Sequence, residues 1–287
     1  YIPVFLLRVV QGIGIALCFT SGFTLIADII PSDRLNEGLG MFGVTGLVGV
    51  ATGPAICEPI IRVFGFNYYF MGIAVVALLS LIILIPVRDT YVPDKKLDQK
   101  ISFFSVLKMR KIFAMSLLTT FFGIALATQN SFVSPFAEEL GLPSISVFFI
   151  AYSFSAVLAR IFGSKIADRI GEVKVIPWSL FLIALGFLSL VIVNSTALLI
   201  TSGFICGLGH GFLFPCMNAL MIKNEPVQIR GKINGAFTGS LDLGILIGSL
   251  GLGYIGEWFG YIPIFVATFI SLMIGLVLFL GYIRKVV

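Results

Sequence analysis

The sequence is short of charge. Asp, Glu, Lys and Arg make up 11% of its 287 residues, against about 25% in soluble domains. The remainder is 58% hydrophobic, with a mean hydropathy of +1.08. One water-soluble core cannot hide that much apolar surface, which excludes a soluble enzyme and a disordered chain. Histidine is nearly missing, with His210 the one copy. Neither H-E-x-x-H nor G-x-S-x-G occurs, so the residue sets of a zinc or serine hydrolase are lacking. The four cysteines, Cys18, Cys57, Cys206 and Cys216, lie in apolar runs without C-x-x-C spacing. That argues against a disulfide scaffold or a metal site and leaves them as small buried hydrophobes. The parts of a secretory signal peptide are missing as well. The chain opens on Tyr1 rather than Met, and the expectation is a fragment of a longer protein.

What is present in quantity is long apolar runs. A bilayer core about 30 Å thick needs about 20 helical residues. That ruler gives nine segments, at 3–30, 39–61, 67–87, 112–137, 144–166, 174–193, 197–222, 233–256 and 261–283. They are too long and too continuous for barrel strands of about ten alternating residues. The fold class expected is therefore all-α integral membrane. The stretch 88–111 is polar and holds Arg88, Lys95, Lys96, Lys100, Lys108, Arg110 and Lys111. It divides the chain into three spans (1–87) and six spans (112–287).

The net charge of +5 would suit nucleic acid, but the basic residues follow a topological pattern instead. With those seven, Arg34, Lys165, Arg169, Lys174, Lys223, Arg230, Lys232, Arg284 and Lys285 fall on alternate connections and at the C-terminus. The opposite connections hold Arg62, with Glu138, Glu139 and Glu257 nearby. Basic loops stay in the cytoplasm. The reading places the linker and the C-terminus there, and a multi-pass chain in a plasma membrane, a bacterial inner membrane in particular.

Within the spans, rare polar groups and small residues stand out. The first span carries Arg8, Gln11, Gly12, Gly14 and Ala16, with Arg8 and Gln11 on one helix face. A charge inside an apolar span should face protein or water. The next span carries Gly43, Gly46, Gly49, Gly53 and Pro54. Small residues at such spacing let helices approach closely, and the proline removes a backbone bond. The fifth span ends in Gly163-Ser-Lys-Ile-Ala-Asp168-Arg169-Ile-Gly171. The run Gly207-Leu-Gly209-His210-Gly211 has no preceding strand, which argues against a phosphate loop and for helix contact.

Three of these strings resemble motifs of the major facilitator superfamily of transporters. The string of the first span is similar to R-x-x-Q-G-x-G-x-A, whose arginine is associated in that family with proton coupling. Gly49 to Pro54 resemble the family's antiporter motif, G-x-x-x-G-P-x-x-G-G, but Cys57 and Glu58 replace the trailing glycines. The string that ends the fifth span resembles the cytoplasmic loop motif G-x-L-A-D-R-x-G. The stretch 203–265 resembles the tenth to twelfth helices of sugar-efflux-like and multidrug-efflux-like members. The resemblance covers the chain as helices four to twelve of twelve. It implies a partial major facilitator fold, with the remainder of an N-terminal bundle (1–87), a cytoplasmic linker (88–111) and a C-terminal six-helix bundle (112–287).

The resemblance further implies a monomeric secondary transporter, a small-molecule substrate, a lipid bilayer as surroundings and the proton gradient rather than a cofactor as energy source. Coupling or substrate candidates are Arg8, Gln11, Gln129, Asn130, Arg160, His210, Asn218 and Asp242. Gating candidates are Gly53, Pro54, Gly163, Asp168, Arg169 and Gly171. Asp242 ranks first among carboxylates, since it lies about 15 Å deep at 1.5 Å per residue, near the bilayer midplane. Each candidate could instead be a structural residue at a helix contact. Import on the same fold is the competing function. A membrane enzyme or receptor is remote, because neither a nucleophile with its base nor a soluble output region is present.

Overall fold

The computed structural model describes residues 2–31, 34–87, 101–142 and 145–287. Residues 88–100, most of the expected linker, lie outside the described residues, and so does the side chain of the gating candidate Pro54. The elements are α1 (Ile2–Ile29), α2 (Leu35–Phe64), α3 (Phe66–Leu84), a short α4 (Phe103–Leu107), α5 (Arg110–Ser131), α6 (Val133–Glu139), α7 (Ser146–Ile170), α8 (Glu172–Ser189), α9 (Thr196–Ile222), α10 (Val227–Phe259) and α11 (Tyr261–Gly281). No strand occurs among the described residues. Lipid offers no partner to backbone N–H and C=O groups, and a helix satisfies them within itself.

Nine spans in the described residues are long and apolar enough to cross a bilayer, with α5 and α6 forming one of them, Arg110–Glu139. The protein is a multi-pass membrane protein. Even the 19 residues of α3 reach about 28 Å at 1.5 Å per residue, close to the hydrocarbon thickness.

Helices α5 to α11 pack on one another. The α9 helix lies against α7 and α8, α5 against α10, and α11 bridges α8 and α5. In lipid this packing cannot draw on the hydrophobic effect, so it depends on close approach. The glycines supply it. Gly203, Gly207 and Gly211, four residues apart, form one face of α9 against α7. Gly209 points the other way, where a Cβ would stand 2.8 Å from the Ser179 carbonyl of α8. The G-x-G-x-G string thus serves two helix contacts. Where α5 crosses α10, a Cβ on either Gly123 or Gly244 would lie 2.8 Å from the other's Cα.

The first three helices lean on this bundle. The α2 helix rests on α7 and α9, α1 on α10, and α3 packs on α2 with none of its side chains buried. The basic connections gather at one end of the molecule, called here the basic end. Side chains staple it: Lys223 Nζ donates to both carboxylate oxygens of buried Glu172 at 3.0 Å. Lys111 Nζ donates to the Lys223 carbonyl (2.7 Å) and to Glu225 (3.1 Å). Gly171, at φ +89°, ends α7 and starts α8, so the chain reverses over a single residue. That left-handed backbone is open to glycine without the clash a Cβ brings.

Candidate functional site

A cavity of about 420 Å³ lies between α1 and α2 on one side and α5, α7, α9 and α10 on the other. Its walls are mostly apolar. Phe42, Phe23 and Phe214 form an aromatic series across α2, α1 and α9, with ring centroids 5.0 and 5.4 Å apart. A few polar groups converge on it, the usual make-up of a small-molecule site. They are Gln129 and Asn130 from α5, Tyr152 and Arg160 from α7, and His210 from α9. Tyr152 and Arg160 share a wall because they stand eight residues apart, about two helical turns.

The Tyr152 hydroxyl and His210 Nδ1 share a hydrogen bond whose donor depends on the imidazole tautomer. Phe122 meets the same imidazole edge-on at 5.1 Å, and Phe214 flanks it at 5.9 Å. Glycines 207 and 211 of α9 make this possible by bringing α9 onto the backbone of α7 around Tyr152 and Ala156. Arg160 holds its guanidinium over Phe214, with Cζ 5.5 Å from the ring centroid. It also lies against Gly43 of α2, where any Cβ would collide with the guanidinium.

Toward the basic end the cavity is closed by a polar seam between α1 and α10. Thr20 and Thr238 hydroxyls meet at 3.2 Å. Asn234 Nδ2 donates to Thr24 at 3.2 Å and its Oδ1 accepts from Asn218 Nδ2 of α9 at 3.3 Å. Arg230 donates to the Ala27 carbonyl at 3.1 Å. Away from the basic end, α1 from Ile2 to Cys18 is exposed throughout.

The cavity therefore gathers four of the sequence candidates, Gln129, Asn130, Arg160 and His210. Asn218 belongs to the seam instead. Arg8 and Gln11 bond to each other at 3.0 Å on the exposed part of α1. Asp242 is exposed on α10 and continues the row of Asn234 and Thr238, one turn further from the basic end. Of the gating candidates, Gly163 lets the Phe212 ring of α9 lie against α7, while nothing lies within 4 Å of a Cβ at Gly53. Partly buried Asp168 and exposed Arg169 sit in the last turn of α7, just before Gly171. Tyr152, Thr20, Thr24, Asn234 and Thr238 were not singled out from the sequence. A Tyr or Thr in an apolar span reads as packing until its partner, 58 to 218 residues away, is known.

Comparison with known proteins agrees with this architecture. The family model of the Major Facilitator Superfamily matches residues 1–151 and 115–286. A multi-drug resistance efflux pump PmrA homolog of Lactococcus lactis is 25% identical, over 96% of this chain and 72% of its own length. Among solved structures, the human organic anion transporter MFSD10 (TETRAN) superposes with a TM-score of 0.71 at 14% identity, covering 90% of this chain and 66% of that one. The Escherichia coli fucose:proton symporter FucP gives 0.64 at 16% identity, over 90% and 72%. At such identities the two structures speak for the fold.

Proposed function

Because the chain belongs to the Major Facilitator Superfamily, we propose that it serves the proton-coupled export of amphipathic small molecules by alternating access. The observation that carries this is a polar-and-aromatic cavity between two helix groups, closed toward the basic end by a seam of side-chain hydrogen bonds. The positive-inside rule puts the basic end in the cytoplasm. The α1–α10 seam is then the inner gate, and the arrangement is outward-open. Export rather than import is supported by the efflux pump among the relatives and by the Gly49–Pro54 part of the antiporter motif. The fucose:proton symporter shares the fold and keeps import as the second reading.

Energised inverted membrane vesicles test the direction. An exporter accumulates members of a naphthalene panel (anionic, neutral and cationic) while releasing lumenal protons. Outflow of preloaded probe together with protons would establish symport instead, and no movement of any member would remove the transport reading.

Asp242 is the proposed coupling carboxylate. It follows the gate row by one turn, where opening of the seam changes its surroundings. Asp242→Asn is expected to cut proton-driven accumulation by about tenfold or more, as for loss of an intramembrane ionisable group, while downhill exchange survives. Accumulation with wild-type pH dependence would exclude this role. Asp168→Asn is expected to change transport more than binding, by shifting the balance of the two open states. Cysteine accessibility from the two membrane faces reads that shift, and an unchanged pattern would rule it out.

A further inference from the structure

We infer that the cavity takes amphipathic organic anions, with the ligand's carboxylate or sulfonate seated on Arg160. This rests on the cavity being the site of the transported molecule. Arg160 is 3% exposed. Its Nε and one terminal nitrogen are buried and have no hydrogen-bond partner. Guanidinium presents five N–H donors in a rigid fork and stays charged at any physiological pH. Unmade bonds of a buried charged donor are costly, so buried arginines as a rule face a carboxylate. None of the described residues lining this cavity is acidic. The guanidinium also lies over the Phe214 ring, a cation–π contact that leaves its N–H donors without an acceptor. The donors that lack an acceptor call for an oxyanion, the group whose oxygens match guanidinium N–H donors.

The rest of the site fits the same ligand. The wall of Phe23, Phe42 and Phe214 offers a place for an aromatic or alicyclic body next to the charge. Gly43 is part of the device. Lacking a side chain, it lets the guanidinium lie against the α2 backbone, and any Cβ there displaces it. The cation is thereby held between the two helix groups, one contributing Gly43 and the other Arg160. A small inorganic anion would satisfy the fork but leave the aromatic wall empty, so the organic anion is the occupant that uses both.

The test is a titration of the purified protein in nanodiscs of zwitterionic lipid at constant sodium chloride. The probes are 2-naphthoate, 2-naphthamide and 2-naphthylmethylammonium. Naphthoate is expected to bind about tenfold tighter than the amide, the scale of one charge-assisted hydrogen bond, and the ammonium weakest. Arg160→Gln should lower naphthoate affinity about tenfold, to the level of the amide, with a much smaller effect on the amide itself. Gly43→Ala, which keeps the charge but moves the guanidinium, should lower naphthoate affinity selectively, and it serves as the readout should Arg160→Gln not fold. Equal affinity for naphthoate and amide, a preference for the ammonium, or a naphthoate preference that survives Arg160→Gln would overturn the assignment. Amide binding that is blocked by Leu47→Trp, but shows no charge preference, defeats the anion inference and spares the cavity. No binding of any probe defeats the cavity reading itself.

Discussion

A disulfide between cysteines placed at positions 20 and 238 is expected to stop transport. The two threonine hydroxyls stand 3.2 Å apart across α1 and α10, and the pair forms the end of the seam farthest from the basic end. In the closed state the seam holds Thr20–Thr238, Asn234–Thr24, Asn218–Asn234 and Arg230–Ala27. At about 0.5–1.5 kcal/mol each, such bonds sum to a few kcal/mol. That is the bias by which two conformations can still exchange. A covalent bond removes the exchange altogether, because the cavity cannot open toward the basic end while α1 and α10 are joined. Exposed Cys18 and partly exposed Cys57 are first replaced by serine, whereas Cys206 and Cys216 are buried and can stay. Oxidation should then lower flux by about tenfold or more, as when a gating motion is blocked, and reduction should restore it. Turnover by the cross-linked form at the rate of the reduced form would show that this seam is not a gate.

The largest effect on stability is expected at the α5–α10 crossing. Gly123→Val puts three carbons where even one Cβ would stand 2.8 Å from Gly244 Cα. Both neighbours there are backbone, so no flexible side chain can yield. Overpacking of a tight core costs about 1–3 kcal/mol, and contact with backbone on a long helix places this variant at about 3 kcal/mol or more. Gly251→Val on α10 is the control. A Cβ there meets nothing within 4 Å, and valine is a better helix former than glycine. Melting of the detergent-solubilised protein should show a large drop for the first and little change for the control. Equal shifts would mean that α5 and α10 do not cross this closely.

Hydropathy located the helices well, because the bilayer sets one length for all of them. The expected span 3–30 is α1 at Ile2–Ile29, and 174–193 matches α8 with the turn that follows it. One local feature escaped. The span 112–137 is broken at Phe132 into α5 and α6, where Pro135 cannot donate to the Ser131 carbonyl four residues back. For the cavity, charge was the useful signal. Arg160 and His210 were conspicuous because ionisable side chains are expensive in lipid. Depth along a helix could also be counted from the sequence, as for Asp242. Rotation about the helix axis could not. These helices are apolar on every side, so no polar stripe says which face meets a neighbour. Asp242 and Leu241 are adjacent in sequence, yet Leu241 lines the cavity and Asp242 is exposed beside it. The seam was hidden for the same reason. Its hydrogen bonds join residues as much as 218 apart, and apart from Arg230 they run through threonines and asparagines that carry no charge to betray them.

The single-residue turns bear on how the chain enters the membrane. Gly65 joins α2 to α3 and Gly260 joins α10 to α11, each closing one helix and opening the next. In the orientation proposed above, both turns lie on the far side of the bilayer from the ribosome. Whatever joins two helices there has to be carried through the hydrocarbon during biogenesis. A long polar loop would bring many unsatisfied peptide groups through that layer, each at a cost of several kcal/mol. A one-glycine turn brings almost none, so α2 with α3, and α10 with α11, can enter as preformed helical hairpins. Lengthening either turn with a polar insert should therefore show first as a defect of insertion during synthesis, in a protein whose remaining helices are unaltered.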